Sequence, residues 1–161
     1  MVNEVRGRTR RHLYSAWEVW LSHQGHGGSG VAGAIAPIIE RWSEAGVSLS
    51  FRATQMLTGH GCFGRYLCRI GRENSPKCWH CAAQHDTARH TVRYCPAWND
   101  LRADLVRAIG PDLTMPGLLR SLLNKEGREA FTTFSEAVMS KKEAHERARE
   151  GVPSRVAPQG S

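Results

Sequence analysis

Residues 75–98, SPKCWHCAAQHDTARHTVRYCPAW, place Cys78, Cys81, His90 and Cys95 in the order C-x2-C-x8-H-x4-C. No other feature constrains the fold as strongly. Three thiolates and one imidazole complete a tetrahedral shell around Zn²⁺ and leave no position for water, which is the pattern of a structural site rather than a catalytic one. Two cysteines three apart aim both sulfurs at one ion from a tight turn that Pro76 helps to set. Asp86 or Thr87 suits a helix N-cap, so ARHTVRYC is expected to be a short helix with His90 about one turn before Cys95, ended by Pro96. One structural Zn²⁺ on Cys78, Cys81, His90 and Cys95 is the expected cofactor. It would fold a loop, the knuckle, that has no core of its own. Cys62 and Cys68 are expected to be core thiols. His80 is expected to turn away from the ion, and His85 to lie on the loop.

The rest of the chain reads as helices around this insert. With 161 residues, 40% of them apolar, one modest core is expected. Leu13, Trp17, Trp20 and Leu21 share a helical face, and Val31, Ile35, Ile38, Ile39 and Trp42 trace a second stripe kinked at Pro37. A third helix follows Ser48 or Ser50 and stops near TGHG. Phe63, Tyr66, Leu67 and Ile70 form a fourth, closed by Gly71. Beyond the cluster, Trp98, Leu101, Leu105 and Ile109 mark a helix stopped by Gly110 and Pro111. Leu118, Leu119, Leu122 and Leu123 continue the pattern, and Phe131, Phe134 and Val138 lead into KKEAHERARE, whose mixed signs predict a solvated helix. No strand shows alternating polarity. The expected fold is all-α: a basic disordered arm over 1–12, a helical segment over 13–74, the inserted knuckle over 75–98, a helical tail over 99–150 and a disordered end over 151–161.

Charge and missing motifs narrow the function. The 22 Lys and Arg outnumber 15 Asp and Glu for a formal charge of +7, which favours phosphate-rich partners over a small-molecule substrate. No apolar run is long enough for a membrane span, and residues 1–14 have no signal-peptide core, so an intracellular, nuclear location is expected. SPKCWHC looks like half of a nucleobase-deaminase site, but the upstream H-x-E that such chemistry needs is missing. There is no adjacent aspartate pair for two-metal chemistry, no G-x-S-x-G elbow, no H-E-x-x-H helix and no phosphate loop before a lysine. No catalytic centre is expected.

The stretch QMLTGHGCFGRYLCRIGRENSPKCWHC followed by DTARHTVRYCPAW resembles the C-terminal region of insect non-LTR retrotransposon polyproteins, particularly the group that inserts into ribosomal RNA genes. In that family a reverse transcriptase is followed by a helical segment with a TGHG-x-F-x-x-Y-L motif and then a long-spaced CCHC zinc knuckle. The likeness is tightest over 55–98 and looser over 14–54, while 99–161 looks like the variable tail. The resemblance implies a piece of a mobile-element polyprotein, with the metal ligands falling on Cys78, Cys81, His90 and Cys95. It also implies that the endonuclease and reverse-transcriptase domains are missing, so the isolated chain is expected not to be an enzyme. The gap of eight residues between Cys81 and His90 is longer than the four of retroviral nucleocapsid knuckles, so their base-reading rules do not transfer.

Expected partners are RNA or DNA and the remainder of a reverse transcriptase polyprotein. Candidate phosphate contacts are Arg65, Arg69 and Arg72 before the knuckle and Lys77, Arg89 and Arg93 on it. Trp79 is a candidate for stacking on an unpaired base. Tyr94 stands between that role and covering the zinc site. The competing reading is a zinc-stabilised protein-interaction module that docks through its Trp- and Leu-rich helices.

Overall fold

The computed structural model describes residues 2–23 and 30–151, and every regular element among them is helical. α1 spans Val2–His23, α2 Val31–Ile35, α3 Ile39–Glu44, α4 Phe51–Thr58, α5 Gly64–Arg69, α6 Ala88–Arg93, α7 Asn99–Ile109, α8 Met115–Ser121 and α9 Lys125–Glu150. The all-α expectation holds. Among the described residues no helix is long and apolar enough to cross a membrane.

Several boundaries follow from local chemistry visible in the sequence. Ser50 caps α4 by accepting from the Ala53 N–H, and Thr87 caps α6 by accepting from the His90 N–H. Pro37 opens a single 3-10 turn over Ala36–Ile38 and so separates α2 from α3, because its ring cannot continue the α2 hydrogen-bond ladder. Gly59 ends α4 in the left-handed region at φ 71°, which costs a residue without a β-carbon least.

Residues 2–12, expected as a disordered arm, are instead helical and belong to α1, which is continuous from Val2. The apolar face expected on α1 lies at the surface, with Leu13, Trp17 and Trp20 about half exposed. α1 meets the body chiefly through α2, α3 and the turn between them, and Tyr14 hydrogen-bonds Ser43 there. The disordered end expected over 151–161 falls, after Gly151, outside the described residues.

The core is organised by α9, the longest helix, which packs along α4 and α7. Its Phe131, Phe134, Val138 and Met139 are buried against Met56 and Leu57 of α4, Leu105 of α7, and Leu118 and Leu119 of α8. Phe63, Cys78, Val92, Cys95 and Trp98 belong to the same cluster, so the cysteine loop sits on the core and is not appended to it. The polar C-terminal half of α9 is not wholly solvated either. Lys142 and Glu146 are buried, because they meet specific partners from the TGHG segment and the cysteine loop.

Candidate metal centre and basic surface

The cysteine loop is closed by backbone hydrogen bonds before any ion is considered. The Cys78 N–H donates to Ala83 O at 2.9 Å, which tightens the first turn, and the Asp86 N–H donates to Pro76 O at 2.8 Å, which joins the two ends of the loop. Thr87 then starts α6, placing His90 on its first turn, and the Cys95 N–H donates back to His90 O at 2.8 Å. The four side chains converge as their spacing requires. One donor atom from each of Cys78, Cys81, His90 and Cys95 lies within 4.8 Å of all the others.

The pairwise distances test whether a cation fits. Cys78 Sγ is 3.9 Å from Cys95 Sγ, and Cys81 Sγ is 3.3 Å from His90 Nε2. A tetrahedron with metal–sulfur bonds of about 2.3 Å and a metal–nitrogen bond of about 2.0 Å has edges of about 3.8 Å between sulfurs and about 3.5 Å between sulfur and nitrogen. Both observed separations fall near these edges, and no disulfide is formed. These four residues can hold a metal ion. Burial pushes the Cys95 thiol up to about 12 and the Cys78 thiol up as well. A cation at the centre reverses that preference, because the thiolate is the ligand.

The surroundings hold the four donors in place. Arg102 of α7 donates to Val92 O at 2.7 Å, Thr91 O at 3.1 Å and Cys95 O at 2.6 Å. One guanidinium thereby satisfies the C-terminal carbonyls of α6 and orients the Cys95 backbone. Sequence reasoning missed Arg102, since nothing in its own helix marks it apart from other exposed arginines. His80 is turned away as expected: its ring packs 4.8 Å from those of Trp98 and His145. Burial first, and then the charge of Lys142, lowers His80 to about 4 and keeps it a neutral packing group.

Asp86, considered only as a cap, has a larger part. It is 2% exposed and accepts from Lys142 Nζ at 2.7 Å, the Gly64 N–H at 3.0 Å and Thr91 Oγ1 at 3.2 Å. The cysteine loop, the TGHG segment and α9 are tied together at this carboxylate. Gly64 is required beside it, because a β-carbon there would lie 2.5 Å from Lys77 O and 2.9 Å from Pro76 O. Gly64 therefore lets the motif pass against the start of the loop.

The candidate phosphate contacts divide into two groups. Arg72 is ion-paired with Glu146 and Glu150 of α9. Trp79 has Lys77 Nζ 4.1 Å and Arg149 Cζ 4.7 Å from its ring centroid, so cations already pack on it. Tyr94 is 54% exposed beside Arg89 and Arg93. Arg65, Arg69, Lys77, Arg89 and Arg93 are in no ion pair with another described residue. Cys62 and Cys68 are half-buried. Cys62 donates to Glu146 Oε2 at 2.7 Å and is a hydrogen-bonded thiol rather than an apolar filler.

With this geometry in place, the comparison with known proteins is informative. The chain is 34% identical over 61 residues to the "Retrovirus-related Pol polyprotein from type-1 retrotransposable element R1" of Bradysia coprophila. Part of this chain is retrotransposon-related. The match spans 38% of the chain and 6% of that polyprotein. No family model matches the chain, and no solved structure matches it. The chain thus combines a partial similarity to a retrotransposon polyprotein with a Cys3His cluster that can hold a metal ion.

Proposed function

We propose that the chain is a nucleic-acid-binding tail of a non-LTR retrotransposon polyprotein, folded around one Zn²⁺ and without catalytic activity of its own. The observation that carries this reading is the closed Cys3His cluster, with ligand atoms within 4.8 Å, on the same segment as Lys77, Arg89 and Arg93, which form no ion pair with another described residue. Zinc is favoured over other divalent ions by three sulfurs and one imidazole, two of whose separations fall near tetrahedral edges. Bound there, it would clamp the loop to α6 and thereby hold Lys77, Arg89 and Arg93 in fixed positions. Similarity to a Pol polyprotein supports a partner that is RNA or DNA.

The test is metal analysis and oligonucleotide binding on the purified, reduced chain. One zinc per chain is expected, lost in Cys81→Ser. Affinity for single strands should fall with salt at a log-log slope of roughly −2 to −4, at about −0.7 per phosphate contact. Replacing Arg89 and Arg93 together by Ala should weaken binding to all sequences alike, since phosphate contacts position a strand without reading it. A chain that holds no zinc, or that binds no oligonucleotide at low salt, refutes the proposal. In the second case the half-exposed Leu13, Trp17 and Trp20 of α1 favour the protein-interaction reading.

A further inference from the structure

The TGHG-x-F-x-x-Y-L motif supplies none of the metal ligands, yet it lines an open groove of about 770 Å³. Thr58, Gly59, His60 and Tyr66 line it together with Pro76, His85 and Thr87 from the cysteine loop. Arg65 and Arg69 of α5 line it as well. Its single acid, Asp86, is buried and occupied by Lys142, the Gly64 N–H and Thr91. No carboxylate is left to offset Arg65 and Arg69, both exposed and unpaired among the described residues. Tyr66 meets the His60 ring edge-on at 5.1 Å and lies under the Arg69 guanidinium at 5.2 Å, so the motif's aromatic groups pack against the cation they support.

We propose that this groove is the track of a single-stranded nucleic-acid backbone, with Arg65 and Arg69 on neighbouring phosphates and His60 and His85 at the rim hydrogen-bonding phosphate or sugar oxygens. The inference rests on the proposed function and adds where the strand lies. A positively lined groove with an aromatic side chain is the arrangement by which proteins track a single strand. The lining carries no side-chain amide to read base edges, and the Thr58 hydroxyl is committed to Thr54 O at 2.9 Å. Sequence preference is therefore weak. Ala88 lines both this groove and the neighbouring cavity that Arg89 and Arg93 border, so α6 is the wall between the two arginine pairs.

The test compares R65A/R69A, R65K/R69K and R89A/R93A in the full, zinc-loaded chain, by anisotropy of labelled oligouridylate and oligothymidylate across a salt series. R65A/R69A should bind about 10- to 30-fold more weakly near 0.1 M salt and flatten the slope by about 1.4, from two contacts at about 0.7 each. R65K/R69K should recover most of the slope, and R89A/R93A should cost less than R65A/R69A. A 4-thiouridine oligonucleotide should crosslink to the peptide holding His60 and Tyr66. If the parent binds and R65A/R69A matches it in affinity and slope, the groove is not the track, though the nucleic-acid reading survives. A parent that binds no strand sinks both. Displacement by polyglutamate at equal charge concentration would make the groove a general anion surface and overturn the assignment.

Discussion

The ammonium of Lys142 on α9 lies 2.7 Å from a carboxylate oxygen of Asp86, and each side chain is no more than 3% exposed. The pair joins the last helix to the cysteine loop across 56 residues of chain. Asp86 keeps its other contacts with the Gly64 N–H and Thr91, so the charge is both paired and hydrogen-bonded.

Removing one partner of a buried ion pair leaves an uncompensated charge, which costs about 3–5 kcal/mol, whereas removing both costs much less. Lys142→Met is accordingly expected to destabilise the chain by about 3–5 kcal/mol in urea denaturation. The double substitution Asp86→Asn with Lys142→Met should recover more than half of that loss. Equal instability of the single and double variants would mean that the pair does not act as a unit.

The two tight glycines of the motif should respond differently to alanine. At Gly64 the new β-carbon meets the backbone oxygens of Lys77 and Pro76, which cannot yield without moving the start of the cysteine loop. At Gly61 it meets Met139 Cε at 2.8 Å, the far end of a flexible side chain. Gly64→Ala is expected to cost about 3 kcal/mol and Gly61→Ala about 1 kcal/mol. Thermal denaturation of the two variants checks the order, and Gly64→Ala should also weaken metal retention.

Burial, reinforced by the hydrogen bond to Glu146, pushes the Cys62 thiol up to about 12. The fold favours the neutral thiol, and an unfolded chain gives up that proton near the ordinary thiol value of about 9. Above that pH the unfolded state binds fewer protons, so the stabilisation is complete below about pH 9 and is lost as pH rises toward about 12. Urea midpoints measured from neutral to alkaline pH should fall less steeply in Cys62→Ala than in the parent. Parallel curves would show that Cys62 does not carry this dependence.

The helix caps show how far local signals reached. Ser50, Thr87, Pro37 and Gly59 each act on hydrogen bonds or dihedral angles within a few residues, so their effects were legible from their types and neighbours. The Cys3His cluster was legible for a related reason: its ligands are near in sequence, and their spacing follows from one turn and one short helix. The apolar stripe of α1 was legible as a helical face, but periodicity marks a face without saying what lies opposite it. KKEAHERARE was misread because a mixed-sign run looks solvated until its partners are known.

The sequence by itself determined an all-α fold, most helix ends and the four donors that can hold a metal, because each depends on short-range geometry. Only the tertiary structure decided that Lys142 and Glu146 are buried, that Arg102 holds the Cys95 carbonyl and that Arg72 is taken up by α9. Those partners are brought together by the packing of α9 and α7 around the cysteine loop. A charge is expressed or neutralised by what lies within a few ångströms of it, and for these residues that neighbour comes from a distant part of the chain.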